Sequence, residues 1–278
     1  MKKSISIWSF PDKTVKESMK LAKETGFDGI ELALNETGEC SLDATESEWA
    51  DIKAYAKELD LALPSVATGL YWSYPFTSDD LVIREKGIKV AEKQLEMAKA
   101  LGADSVLIVP GAVDVVFSPG FSVVPYDIAY DRALSALMQL KPKAEALQVH
   151  IGVENVWNMF LLSPLEFRDF VDKIDSPYVG VYFDVGNVLS SGYPEHWIRI
   201  LAKRIRKVHF KDYRKGADAQ GFVGLLEGHV NWTEVMSAFK EIGYDDWATA
   251  EMFPVNDLHG KMLIQNTKNA MDLIMEAI

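Results

Sequence analysis

Apolar residues along this chain follow two rhythms that alternate from end to end. Short apolar runs of β type fall at 4–8, 29–34, 61–66, 105–109, 149–153, 179–183, 207–210 and 247–250. Between them lie longer segments in which apolar positions return every three or four residues, at 14–25, 46–59, 81–101, 126–147, 164–174, 194–202, 232–242 and 261–277. The first rhythm predicts strands and the second amphipathic helices. Gly26, Gly102 and Gly243 stand just past three of the helical segments, where a left-handed residue is often needed, and Ser163-Pro164 and Tyr193-Pro194 put proline in the first turn of two others. Strict alternation predicts parallel strands sheathed by helices, and eight repeats favour closure into a (β/α)8 barrel over an open sheet.

At 278 residues the chain is long enough for two average domains. One barrel of about 250 residues fits equally well, and no break in composition separates two halves, so the expectation is a single domain spanning 1–278. The net charge of −12 argues against a protein whose task is to grip a phosphate backbone, so no nucleic-acid partner is expected. Cys40 is the single cysteine. It excludes an intramolecular disulfide and a sulfur metal site, and it fits a reducing, cytoplasmic setting. The basic start Met1-Lys2-Lys3 precedes an apolar run too short for a secretion signal, and no run reaches the ~18 apolar residues of a membrane span.

Chemistry concentrates in the second half. Val153-Glu154-Asn155, Phe183-Asp184-Val185-Gly186-Asn187, Val208-His209-Phe210-Lys211-Asp212 and Ala250-Glu251-Met252 each put a metal-capable or proton-transferring side chain at or just after the end of an apolar run. In a parallel barrel those ends share one mouth. Glu154, Asp184, His209 and Glu251 would offer three carboxylates and an imidazole to one divalent ion such as Mn, Mg, Co or Zn, leaving room for substrate oxygens. Such an ion polarises a hydroxy-ketone and stabilises the enediolate formed when the adjacent carbon loses its proton. Glu154 and Glu251, from different azimuths of the ring, are the candidate acid/base pair. Return of the proton to the opposite face inverts the centre, whereas transfer to the neighbouring carbon interconverts aldose and ketose.

Around this quartet, Trp8, Trp72 and Trp157 are candidate sugar-facing or mouth-packing surfaces, and Asn187 and Arg214 are candidate substrate contacts. Lys211 and Asp212 either orient substrate hydroxyls or make ion pairs at the rim, the latter being the expectation for Lys211. Glu31, an acid between apolar neighbours, either holds a substrate or a lysine or supports the metal shell. His150, at the opposite end of its strand, is expected to be structural, His196 and His259 superficial, and His229 a loop-shaping residue. The long connections 67–80 and 110–125 carry Tyr71, Trp72, Tyr74, Phe76, Phe117 and Phe121, suited either to a lid or to a loop seal or dimer contact.

Together with Gly26-Phe27-Asp28-Gly29-Ile30-Glu31-Leu32, Pro75-Phe76-Thr77-Ser78-Asp79, Arg84, the stretch 98–102 and the turn Glu227-Gly228-His229-Val230-Asn231-Trp232, the four segments resemble the sugar isomerase/epimerase superfamily of xylose isomerase-like barrels. Within it the chain is most similar to ketose 3-epimerases and pentulose-5-phosphate 3-epimerases. That resemblance implies one divalent ion on Glu154, Asp184, His209 and Glu251, an acid/base role for Glu154 and Glu251, a small sugar or sugar phosphate as substrate, and a homo-oligomer. The chain departs from the pattern at Asn187, where free-ketose enzymes often have histidine, at Asn158, where they tend to have glutamate, and at Arg214, which matches their arginine only approximately. The expected reaction is C3 epimerisation of a ketose or ketose phosphate. Aldose/ketose isomerisation, or dehydration of a cyclic polyol or keto acid on the same metal site, are the alternatives. A multi-zinc endonuclease would need more histidines than the five present, and a non-catalytic sugar-binding barrel would have no use for paired bases.

Overall fold

The computed structural model describes residues 1–115, 121–254 and 260–276. Eight strands, β1 (Lys2–Ser6), β2 (Gly29–Ala33), β3 (Ser65–Ala67), β4 (Ser105–Ile108), β5 (His150–Glu154), β6 (Val179–Asp184), β7 (Ile205–Phe210) and β10 (Trp247–Ala250), close into a barrel in the order β1-β10-β7-β6-β5-β4-β3-β2. Every pairing around the ring is parallel. The two remaining strands, β8 (Asp212–Tyr213) and β9 (Phe222–Val223), form an antiparallel hairpin in the connection after β7. Eight helices complete the units: α1 (Val15–Glu24), α2 (Glu46–Glu58), α3 (Leu81–Leu101), α4 (Tyr126–Leu147), α5 (Pro164–Ile174), α6 (Pro194–Leu201), α7 (Trp232–Glu241) and α8 (Gly260–Glu276).

The helix boundaries follow local chemistry. Thr14 and Thr45 close capping boxes with Glu17 and Glu48, Ser163 caps α5 ahead of Pro164, and Gly102 ends α3 at φ 85°. The strand expected at 61–66 lies later, as β3 (Ser65–Ala67), and before it Ala62 makes an isolated bridge to Gly29. Pro64 has no N–H to donate, so a ladder cannot run through it. Phe117, His259 and the expected helix end at Ala277 fall outside the described residues.

Strands β2, β4 and β6 are buried along their whole length, as expected where helices cover one face and the barrel axis the other. Alternation sends Lys207, His209 and, just past the strand, Lys211 toward the axis. They mark three levels of one stave. At the lower mouth Lys207 Nζ lies 2.8 Å from Asp104 Oδ1 and 2.6 Å from Asp246 Oδ2, sealing the N-terminal end. Among the described residues no helix is long and apolar enough to cross a membrane.

Candidate metal centre

Strands β5, β6, β7 and β10 are consecutive staves, so their C-terminal ends deliver Glu154, Asp184, His209 and Glu251 side by side. Asp184 is register partner to His209, Thr249 pairs with His209 two residues below Glu251, and the Glu251 N–H donates to the Phe210 carbonyl at 3.1 Å. All four side chains are buried, and one ligand-capable atom from each lies within 4.8 Å of the others.

Glu31 supplies the support beneath. Its Oε1 lies 2.9 Å from His209 Nε2, while Oε2 accepts from Ser65 Oγ at 2.7 Å and from the Tyr182 hydroxyl at 2.5 Å. A carboxylate on Nε2 holds the imidazole so that Nδ1 faces the centre, the arrangement that orients histidine toward a metal. Nδ1 is 3.6 Å from Glu154 Oε1 and 3.5 Å from Glu251 Oε2. Two asparagines fix Asp184. Asn155 accepts from its N–H at 2.9 Å and donates to its carbonyl at 2.8 Å, and the Asn187 N–H donates to Asp184 Oδ1 at 2.8 Å.

Three buried atoms converge at the centre, Asp184 Oδ2, His209 Nδ1 and Glu251 Oε2: the two carboxylate oxygens meet the Lys211 ammonium, and His209 Nδ1 has no hydrogen-bond partner. Such an O,O,N set fits a divalent cation. Lys211 is the ammonium nearest to them, with Nζ 3.1 Å from Asp184 Oδ2 and in contact with Glu251 Oε2. Burial pushes Glu154 up to about 7, helped by the charge of Glu251 and resisted by His209. Burial also raises Glu251, but Lys211 and His209 more than offset it and bring that group down to about 2. Burial disfavours charge on His209, yet Glu31 and Glu251 outweigh it and hold the imidazole well above its ordinary range. Lys211 is likewise raised, against burial, by Asp184 and Glu251. A divalent cation bound by Glu154, Asp184, His209 and Glu251 would favour ionised carboxylates and a neutral imidazole.

Above the centre opens a cavity of about 790 Å³, walled by Trp8, Trp72, Trp157, Phe222 and Phe253 with Asn187 at its edge. Trp8 stacks on Phe253 with centroids 6.2 Å apart, and Trp157 packs on Phe222 at 5.0 Å while its Nε1 donates to the Asn187 carbonyl at 3.0 Å. Trp8, Trp72, Trp157 and Asn187 thus line the cavity. The Asn187 amide is already committed to the Asn155 carbonyl at 3.0 Å.

Other expectations need correction. Arg214 does not line the cavity. The β8–β9 pairing turns the chain away after Tyr213, and the Arg214 Nε donates to the Glu227 carbonyl at 3.1 Å from an exposed position. Lys211 is no rim residue but lies buried among the acids. Asn158 staples two loops through the Gly111 carbonyl at 2.7 Å and the Phe160 N–H at 3.2 Å. Tyr71 and Phe76 are sealed into the core, where the Tyr71 hydroxyl donates to Gln94 at 2.7 Å.

Asp212 was ambiguous in the sequence and is an organiser in the structure. Its buried carboxylate accepts from Tyr213 N at 2.8 Å, Leu226 N at 3.0 Å, Val230 N at 3.2 Å and Trp232 Nε1 at 3.2 Å. This explains the Glu227-Gly228-His229-Val230-Asn231-Trp232 turn. A Cβ at Gly228 would stand 2.0 Å from Asp212 Oδ1, so a glycine is required for the loop to wrap that closely. His229 shapes the same loop, accepting from the Lys215 N–H at 3.2 Å.

Residues 19–275 match the family model described as xylose isomerase-like TIM barrel. The L-ribulose-5-phosphate 3-epimerase UlaE of Salmonella heidelberg (strain SL476) is 25% identical over 234 residues, covering 81% of this chain and 78% of that protein. Among solved structures, D-psicose 3-epimerase with D-tagatose from Clostridium cellulolyticum H10 superposes with a TM-score of 0.83 at 18% identity, over 100% of this chain and 99% of that one. The IOLI protein with a bound zinc atom superposes with a TM-score of 0.82 at 18% identity, over 99% and 98%. A parallel eight-stranded barrel, a buried quartet at its C-terminal mouth and a family match across nearly the whole length lead to one assignment: the chain belongs to the xylose isomerase-like TIM barrel family.

Proposed function

We propose that this protein is a metal-dependent sugar epimerase that inverts C3 of a ketose, with Glu154 and Glu251 as the acid/base pair. One observation carries the reading. Two buried glutamates stand on the outer staves of a four-residue donor cluster, with Asp184 and His209 between them, so a carbon placed above the cluster has a carboxylate on either side. The similarity to proteins named as 3-epimerases of ketoses and ketose phosphates supports it.

A divalent ion held by Glu154, Asp184, His209 and Glu251 would polarise the ketose carbonyl and the neighbouring hydroxyl. The protein's own groups then move the proton. One glutamate takes the C3 proton, leaving an enediolate, and the other delivers a proton to the opposite face, which inverts C3 with no net change in atoms or charge. Glu31 keeps the His209 ring from turning, and the Asn155 and Asn187 contacts keep Asp184 in register. The aromatic walls exclude water from the enediolate, which limits loss of the intermediate to side reactions.

The experiment is deuterium uptake from heavy water into a panel of ketoses and ketose phosphates, with added Mn, for wild type and Glu251→Gln. The expected result is metal-dependent exchange at C3, reduced by about 10²–10⁴-fold in the variant. Exchange confined to C1 would point instead to aldose/ketose isomerisation, and loss of water to give a conjugated enone would identify a dehydratase.

A further inference from the structure

We infer that the site is built for an uncharged ketose and discriminates against its phosphate ester. The inference rests on the epimerase reading and concerns the substrate class.

A phosphate dianion in a protein site is held by Arg or Lys side chains, by a helix N-terminus or by a nest of backbone N–H groups. The cavity offers one cation. Lys211 is the sole lysine or arginine among the described residues that line it, and its ammonium is already shared between Asp184 and Glu251 and lies 4.9 Å and 5.3 Å from the Phe222 and Phe253 ring centroids. The undescribed stretches Val116-Phe117-Ser118-Pro119-Gly120, Val255-Asn256-Asp257-Leu258-His259 and Ala277-Ile278 contain neither lysine nor arginine.

Nearby arginines are committed elsewhere. Arg84 donates to the Ser78 carbonyl at 2.6 Å, Arg132 to the Thr77 carbonyl at 2.8 Å and to Asp79 at 2.7 Å, and Arg214 to the Glu227 carbonyl. Barrels of this type frequently seat phosphate between the loops that follow their last two strands. Here that space is a side pocket of about 400 Å³ in which Leu225, Leu263 and Pro254 present apolar surface, Asn266 and Thr267 add neutral polar groups, Glu227 adds a carboxylate, and the one cation among the described residues is again Lys211, already paired with Asp184 and Glu251.

The cavity walls point the same way, because they are five aromatic rings, those of Trp8, Trp72, Trp157, Phe222 and Phe253. Rings of this kind suit the C–H faces of a free sugar, with the metal and a few polar groups fixing its orientation. The sequence relatives named for ribulose 5-phosphate therefore mislead on this point.

The test uses the Mn-loaded full chain and two matched pairs, ribulose with ribulose 5-phosphate and fructose with fructose 6-phosphate, following C3 deuterium exchange as kcat/KM. Because no uncommitted lysine or arginine lines the cavity among the described residues to pair with a phosphate dianion, each free ketose should exceed its ester by about 100-fold or more. Exchange into an ester that equals or exceeds that into its free partner overturns the inference and leaves the epimerase reading in place. No exchange into any of the four, in protein shown to bind Mn by titration, overturns the epimerase reading and the substrate assignment with it.

Discussion

Both mouths of the barrel bury a lysine of the β7 stave between carboxylates, and the two clusters differ in one respect that separates structure from function. At the lower mouth Lys207 meets Asp104 and Asp246, whose side chains are 59% and 42% exposed, so water shares in solvating both acids. At the upper mouth Lys211 meets Asp184 and Glu251, 0% and 4% exposed, with the buried Glu154 and Glu31 carboxylates close by on either side of His209. The lower cluster is complete as it stands. The upper one holds more buried negative charge than its own cations answer, a condition that persists only if the surrounding scaffold enforces it. The lower mouth is therefore a seal and the upper one the candidate ligand site, in line with the division of labour seen across such barrels.

Paired substitutions should break this comparison most sharply. Asp184→Asn removes a donor from the upper cluster together with one of several mutually repelling acids. C3 exchange should fall by at least about 100-fold, more than for loss of an outer partner, while the thermal midpoint of the ion-free protein stays level or rises. Lys207→Met should do the reverse, leaving exchange near wild type and lowering stability by about 1–3 kcal/mol in urea unfolding. If Lys207→Met abolished exchange at unchanged stability, the assignment of the two mouths would be wrong.

Metal removal sharpens the same contrast. Chelation should lower the wild-type melting temperature, and Mn at 100 times its dissociation constant should restore about 2.7 kcal/mol of stability. Glu31→Gln replaces the carboxylate that accepts from His209, Ser65 and Tyr182. It should weaken Mn binding by about 10–100-fold in a competition titration against a fluorescent chelator. Unchanged Mn affinity would reduce Glu31 to a packing residue. A smaller effect is expected one step farther out. Asp212→Asn turns an amide toward donors of the β8–β9 loop and should cost about 1–3 kcal/mol, seen as faster hydrogen exchange at Leu226 and Val230. KM should rise through the displaced Phe222 wall, while Mn affinity remains that of wild type.

What could be read from the chain divides along physical lines. The barrel was legible because strand and helix periods repeat eight times, and Gly102 ends α3 and Ser163-Pro164 opens α5 where capping chemistry predicts. The metal quartet was legible because each member sits at a strand end, so topology alone brings them together. The inward direction of Lys211 follows from β7 alternation and its ion pairs were expected, but that those pairs lie buried between Asp184 and Glu251 and not at the rim depends on how three staves come together. Arg214 and Asp212 were opaque for a related reason. Strands of two residues, such as β8 and β9, are too short to leave a periodic signal, and the four donors that converge on Asp212 come from positions up to 20 residues away. Glu31 could be suspected as an acid among apolar neighbours, but its partner His209 is 178 residues distant, a pairing that only barrel closure creates.

The smallest effect tests whether the lower mouth carries any pH dependence of its own. His150 opens β5 at that end, half-buried and stacked on Tyr178 with ring centroids 4.9 Å apart. Burial, reinforced by the charge of Arg206, lowers its pKa below the ordinary 6.5. The folded state therefore favours the neutral imidazole. Above about pH 6.5 both folded and unfolded chains carry it neutral and the full stability is present; as pH falls below that value the unfolded chain takes up a proton first, and stability is lost until the folded value is passed. With about half of the ring open to solvent, screening limits the effect to less than ~1 kcal/mol. His150→Phe keeps the stacking and removes the titration, so between about pH 7.5 and 5.5 its urea midpoint should decline less than that of wild type. Exchange at C3 should be the same in both proteins, because nothing at this mouth touches the cavity. Parallel declines would mean that the imidazole titrates alike in both states, and the lower mouth would then be a purely mechanical seal.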